Sequence, residues 1–430
     1  MANTEKKTPS EVTGNLVSSR PRVAIDMGRI TQLSRRASAM VEEIRGRLLA
    51  PDARKVAPLY SSLQLGTVCG IDRAHISYRV GKGDLPSGRL TPSCARREFT
   101  LAELRVWARE YRAESMRPAG SRAITVAVGN FKGGVSKTTT AMVLAQGLSM
   151  RGHRVLAIDC DPQGSLTTLF GLLPEAEIDQ GETIAPLCNG DQSDVRYAIR
   201  PTYWDGVDLI PSAPSLFSAE FSLPARQMRD PTSKFWDVLN EGLEPVRGDY
   251  DVIVIDTPPA LSYVTINAFM AADGILVPVP PNALDFASSA QFWDLFADLG
   301  NHLDETSGVG KTFDFLHVLL SRVDQSDTAV PVIRNWIAAT YGEFLLPVEV
   351  LKTTVTSTKA AEFGTVYDVQ KYEGSAKTYK RAVDAYDRLV ELVEQSIVEA
   401  WRSRGVEAAG RAGQGDTAAV PAELHPALRA

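Results

Sequence analysis

Two lysines bracket the segment with the most explicit chemistry, Lys132-Gly133-Gly134-Val135-Ser136-Lys137-Thr138-Thr139, which follows the apolar run Ala123–Val128 and precedes a helical stretch. A strand that feeds a glycine loop opening a helix is a phosphate cradle. Loop N–H groups and the positive helix end face the anion, a lysine reaches the terminal phosphates, and a hydroxyl holds Mg²⁺. In this chain that lysine is Lys137 and that hydroxyl Thr138. The common pattern G-x-x-x-x-G-K-[ST] is not met, because Phe131 and Ser136 stand at its two glycine positions. A second lysine, Lys132, is present instead. Downstream, Arg154–Asp159 and Asp251–Asp256 are apolar runs that each end in a carboxylate, the first continuing through Cys160 to Asp161-Pro162-Gln163. Ligands of parallel sheets sit beyond the carboxyl ends of the strands, which puts Asp159 and Asp161 beside the phosphates. A carboxylate near a γ-phosphate can orient the attacking water.

Taken in order, the three segments resemble the deviant Walker A loop, the switch I segment and the Walker B–switch II segment of the ParA/MinD family of ATPases. The stretch Ala272–Pro280 and, more loosely, Ser321-Arg322 share the resemblance, which covers about Ile124 to Trp401. It implies an ATP site built from Lys132, Gly133, Gly134, Val135, Ser136, Lys137, Thr138 and Thr139, with Arg322 as a neighbour of the base. It implies catalytic roles for Lys132, Lys137 and Asp161, with Asp161 positioning water. Mg²⁺ would be held by Thr138 and Asp256, with Asp159 supporting its shell. In relatives the lysine equivalent to Lys132 crosses a sandwich dimer to the partner's ATP, so the resemblance implies that ATP joins two copies of this chain face to face. Ser136 in place of glycine is the departure from the pattern.

These residues need a scaffold. Apolar runs at Ile124–Val128, Arg154–Asp159, Val207–Ile210, Asp251–Asp256, Gly274–Val279 and Phe315–Leu320 alternate with helical stretches. That rhythm predicts an α/β domain with a mostly parallel sheet covered by helices. It is expected over 119–404, closed by an amphipathic helix Tyr379–Trp401 and followed by a disordered tail 405–430. Ahead of it, residues 1–20 are expected to be flexible and 21–118 to form a small α-helical DNA-binding or dimerisation region. Helical periodicity runs from Val23 to Leu49. The segments Ser62–Gly70 and Ile71–Arg79 have helix–turn–helix spacing, with Gly70 for the left-handed turn and Asp72 and Thr100 as caps. Arg73, Ser77, Tyr78, Arg79 and Lys82 are its candidate DNA contacts. A helical dimerisation domain with a solvated basic face is the alternative.

Of 430 residues, 44% are hydrophobic and 23% charged, and no apolar run is long enough to span a membrane. The net charge of −6 conceals an asymmetry, since residues 1–120 hold 21 Lys+Arg against 12 Asp+Glu. A basic front on an acidic body predicts that the front meets a polyanion. The four cysteines lack paired metal spacing, so a cytoplasmic location is expected, and the resemblance implies association with the nucleoid. The front region resembles that of the larger ParA proteins. This implies operator binding through the front module, non-specific DNA binding by the ATP-bound homodimer, and a ParB-like centromere-binding partner. Candidates for the non-specific contact are Arg334, Lys352, Lys359, Lys371, Lys377, Lys380 and Arg381. A ParA-like ATPase positioning a protein cargo on the nucleoid, or an ATP-sensing transcriptional regulator, remains as an alternative. A MinD-like membrane anchor is not expected of the Gly/Ala-rich tail.

Overall fold

The computed structural model describes residues 25–48, 55–92, 96–230, 232–307, 310–352, 364–370 and 374–415. Contacts divide the chain into two units, Met1–Arg54 and Lys55–Ala430. In the first, helix α1 (Met27–Leu48) covers most of the expected helix and exposes Met27, Ile30, Leu33 and Met40.

The second unit is organised by an eight-stranded sheet. In chain order its strands are β4 (Ile124–Val128), β5 (Val155–Asp159), β6 (Arg200–Pro201), β7 (Val207–Ile210), β8 (Val252–Asp256), β9 (Gly274–Val279), β10 (Phe315–Val323) and β11 (Leu345–Leu351). They lie in the order β11-β10-β9-β4-β8-β5-β7-β6, parallel except for the antiparallel edge strand β6. β4, β5, β8 and β9 are buried at every position, which is why each reads as an unbroken apolar run rather than an alternation. Helices α5 (Lys137–Met150), α6 (Ser165–Leu169), α7 (Ala185–Asn189), α8 (Ala219–Arg229), α9 (Val238–Leu243), α10 (Tyr263–Ala271), α11 (Ala283–Ser307), α12 (Val330–Tyr341) and α13 (Ala376–Gly415) provide the cover. Gly147 of α5 lies against Val390 of α13, where an added Cβ would come within 2.5 Å of that side chain.

Helix α13 runs on to Gly415, eleven residues past the expected end of order at Arg404. The Val406-Glu-Ala-Ala segment lacks an apolar stripe, but its alanines are strong helix formers that extend an existing helix without needing burial. Residues 1–20 and 416–430 lie outside the described residues.

The front module contains α2 (Ser62–Cys69), α3 (Arg73–Lys82) and α4 (Leu101–Tyr111) with a three-stranded antiparallel sheet, β1 (Tyr60–Ser61), β3 (Arg97–Phe99) and β2 (Arg89–Leu90). Ser61 and Thr100 form capping boxes, Asp72 caps α3, and Gly70 turns the chain at φ 67°. The expected boundary at 118/119 is not a break in packing. Leu65, Phe99, Leu104 and Trp107 join Val126, Leu144 and Leu148 in one apolar core. Ion pairs close the seam: Arg105–Asp205 at 2.5 Å, Arg109–Asp251 at 3.3 Å, Arg112–Glu394 at 2.5 Å, Arg117–Asp251 at 3.0 Å and Lys55–Asp368 at 3.3 Å. Arg105 Nε and Nη2 also donate to the carbonyls of Ser149 and His153, and Arg109 Nε to that of Gly152, all at the carboxyl end of α5.

Candidate functional site

Sheet register assembles the site. Val128 pairs with Asp256, and Asp256 with Asp159, so the carboxyl ends of β4, β8 and β5 stand level across the middle of the sheet. The phosphate loop leaves β4 at that edge and enters α5 at Lys137. Gly129 opens it, where any Cβ would lie 2.3 Å from Phe269. Gly134 and Ser136 are both left-handed, with φ of 75° and 74°. This is why a glycine is usual at the position of Ser136: an L side chain there costs on the order of 1 kcal/mol. Ser136 makes no side-chain cap bond, so the first N–H groups of α5 remain available to an anion.

The loop is braced from β10. Ser321 Oγ donates to the Val135 carbonyl at 3.0 Å, and the Arg322 guanidinium donates to the Gly134 carbonyl. Arg322 is itself left-handed at φ 51°; with Ser136 it makes up the non-glycine residues of positive φ among the described residues. Both lie at this one site, which is where strain is stored when surrounding structure holds a special geometry.

Lys137 is buried, and its Nζ donates to the Lys132 carbonyl at 2.8 Å across the loop. Burial lowers its pKa, against the pull of Asp256 and Asp161. Asp256 is fully buried with neither carboxylate oxygen hydrogen-bonded. Burial and then Asp159 push its pKa well up, while Thr138 and Lys137 act the other way. A buried carboxylate with the Thr138 hydroxyl and the Lys137 ammonium close by but no full hydrogen bond is costly alone and well placed to bind a cation's water shell. Asp159 is different. Its Oδ1 accepts from Asp161 N, and its Oδ2 from Thr167 N and Thr167 Oγ1, both at 2.8 Å. It is therefore a support for the Asp161 turn and for α6, with its pKa raised by burial to about 7. Asp161 in turn accepts from Gln163 N at 3.0 Å and faces Lys137. Thr138 and Thr139 are half-buried on the first turn of α5, and Gly133 is exposed beside Pro259. The sequence missed Asn130, whose side chain donates to Pro278 O and accepts from Lys132 N. It also missed Thr167; neither belongs to a motif with a fixed spacing.

The proposed DNA contacts are not brought to one place. On α3, Arg73, Ser77 and Tyr78 are exposed. Arg79 turns inward and is committed to Asp84, Glu110 and the Tyr111 hydroxyl. Lys82 pairs with Asp84 at 3.1 Å. Lys352, Arg334 and Lys380 pair with Asp324, Glu349 and Asp384, and Lys377 is exposed. Lys359 and Lys371 lie outside the described residues.

A parallel sheet with a two-lysine phosphate loop and level carboxylates at its strand ends defines a P-loop ATPase of the deviant kind. An AAA-domain family profile matches residues 123–306. The chain is 31% identical over 392 residues to a putative replication protein A of Rhizobium rhizogenes, covering 87% of this chain and 96% of that one. It is 30% identical over 373 residues to SopA of Escherichia coli K12, covering 83% and 92% of the two chains. It is also 31% identical to the chromosome-partitioning ATPase Soj of Thermus thermophilus, over 64% of this chain and 97% of Soj. A solved structure described as a partition protein shares the fold, with a TM-score of 0.60 at 21% identity over 88% of this chain and 99% of that one. The chain belongs to the ParA/MinD family of ATPases. Among the described residues no helix is long and apolar enough to cross a membrane.

Proposed function

We propose that this protein is an ATP-hydrolysing partition protein that binds DNA as an ATP-dependent homodimer. With a ParB-like centromere-binding partner it segregates a plasmid or chromosome, and its front module binds operator DNA and represses its own operon. The observation that carries this reading is the position of Lys132 at the open mouth of a loop whose floor already holds Lys137, Asp161 and Asp256. One ammonium serves the protomer's own triphosphate, and the other, which pairs with Asp285 at 2.9 Å in the single protomer, serves a second one. Two triphosphates brought face to face repel strongly, and added ammonium groups offset that charge.

In this mechanism the α5 N–H groups and Lys137 bind the β- and γ-phosphates. Thr138 and Asp256 would hold Mg²⁺, which would neutralise phosphate charge when bound. Asp161, fixed by Asp159 and Gln163, orients the water that attacks the γ-phosphorus as the bond to the β-γ bridging oxygen breaks. Phosphate and ADP leave, and the clamp opens. The names of relatives, among them a chromosome-partitioning ATPase, support the cellular role.

The test is binding to DNA of arbitrary sequence with ATP, ADP or no nucleotide. Binding is expected with ATP alone, with affinity falling with salt at a log–log slope of about −0.9 per neutralised phosphate. Equal binding under all three conditions overturns the reading.

A further inference from the structure

Helix α10 starts at Tyr263, shortly after β8 ends at Asp256. The first N–H groups of a helix have no partner inside it. In α10, Ser262 Oγ accepts from Thr265 N at 3.2 Å, which is a local cap. The two preceding N–H groups are served from elsewhere. Glu220 accepts from Tyr263 N at 2.9 Å through Oε2 and from Val264 N at 3.2 Å through Oε1. Glu220 lies 43 residues before Tyr263, in the first turn of α8. A carboxylate shared by two N–H groups at the positive end of a helix makes charge-assisted bonds. Its own helix is well anchored, since Ala219 and Leu223 share a core with Val264, Ala268 and Ala271 of α10.

The loop between β8 and α10 is therefore tied at both ends. At its start Thr257 N and Oγ1 both donate to Val128 O, at 3.3 and 3.0 Å. In its middle Pro258 and Pro259 have no N–H to give. Pro259 and Ala260 are exposed, and a Cβ added at Gly133 of the phosphate loop would lie 3.8 Å from Pro259. At its end Thr265 Oγ1 donates to Ala260 O at 2.7 Å, and Glu220 holds the helix that follows.

We propose that Glu220 is a positioning residue for ATP hydrolysis: by pinning the amino end of α10 it keeps the 257–262 loop, and Asp256 before it, aligned with the phosphate loop. This rests on the hydrolysis reading above and deepens it. Ser262 caps α10 but travels with it. Glu220 belongs to another helix and so supplies an external reference. Without it the core still holds α10, but its first turn can fray or slide. A misplacement of about 1 Å at a reacting centre costs on the order of a hundred-fold in rate. The α5 N–H groups and Lys137, which bind the phosphates in that reading, stand on other elements, so binding is spared where turnover is not.

The experiment follows phosphate release in a single turnover, with full-length protein in excess over MgATP. It is joined by the affinity for a fluorescent non-cleavable analogue and by amide hydrogen exchange. Glu220→Ala is expected to slow release about ten-fold while analogue affinity stays within about two-fold of wild type. Glu220→Gln keeps the shape and one acceptor oxygen, and should recover part of the rate. Both should speed exchange over residues 257–265. Asn267→Ala is the structural control. It removes bonds from α10 to Phe235 O and Leu239 N and should leave the rate within about two-fold of wild type. A rate unchanged in both Glu220 variants, a slowing matched by an equal loss of analogue affinity, or an equal slowing in Asn267→Ala overturns the role of Glu220. Wild type that releases no phosphate counts against the hydrolysis reading, and the exchange arm then decides. Unchanged exchange over 257–265 in both Glu220 variants removes the pinning too, whereas faster exchange there supports it.

Discussion

The nucleotide face and the seam beneath the front module are both dense in charge, and they handle it in opposite ways. At the seam every arginine named above has a carboxylate partner, and Glu394 is surrounded by His153, Arg151 and Arg112. At the nucleotide face neither Asp256 oxygen has a full hydrogen bond, Lys137 donates only to a backbone carbonyl, and two residues are held in a costly backbone conformation. Satisfied charge marks structure, and unsatisfied charge marks a place kept ready for something else. The same comparison revises the reading of the basic front end. Part of its positive charge is met by the acidic body of its own chain, through Asp205, Asp251, Asp368 and Glu394.

Variants at the two regions should therefore fail differently. Lys137→Ala should weaken ATP binding on the order of a hundred-fold, about 3 kcal/mol, with little loss of stability without ligand. Titration with a fluorescent nucleotide measures the first and thermal unfolding the second; retained affinity breaks the assignment. Glu394→Gln should do the reverse, costing about 3 kcal/mol of stability at neutral pH because buried cations lose their partner. Burial alone would raise the Glu394 pKa, but His153, Arg151 and Arg112 outweigh it and hold it at about 2. A depressed carboxyl stabilises the fold above its unfolded value of 4.5, and that contribution disappears as pH falls from there through about 2. Chemical denaturation at pH 7 and pH 3 should show a shallower acid loss in the glutamine variant than in wild type.

A smaller pair of effects sharpens the contrast inside the front module. Arg73→Ala should weaken operator binding by about 1–3 kcal/mol and leave the melting temperature unchanged. Arg79→Ala should lower the melting temperature, since it opens the clasp among Asp84, Glu110 and Tyr111. Equal behaviour of the two in a binding isotherm and a melt would remove the distinction. Smallest of all, Ser136→Gly should raise stability by up to about 1 kcal/mol by relieving the left-handed serine, seen as a modest rise in melting temperature.

The candidate nucleotide site was legible because its residues are fixed by local spacing. The loop, the acids closing β5 and β8, and the strands that carry them are each contiguous in the chain. Parallel register then aligns Asp159 with Asp256 without further information. Strands β6 and β11 were missed: one has two residues and the other, at the sheet edge, is buried only at Leu346 and Val350 and is interrupted by Pro347 and Glu349, so neither makes an unbroken apolar run. Asp159 could be placed but not assigned its partners, because Thr167 reaches it only after the chain has turned into α6. The helices of the front module followed from caps and periodicity. The inward turn of Arg79 did not, since Glu110 lies more than thirty residues away in sequence. The same limit hid the pairing of Lys132 with Asp285.

Helix α5 has 14 residues, about 21 Å from end to end. Its amino end opens on the glycine loop, and its carboxyl end is gripped by Arg105 and Arg109 of α4. No linker separates the nucleotide pocket from the front module. A tilt of α5 on engaging ATP would swing α3 as the arm of a lever, with the tightly packed core between them as fulcrum. The phosphate loop and the front module are thus one mechanical unit, joined through the two ends of a single helix.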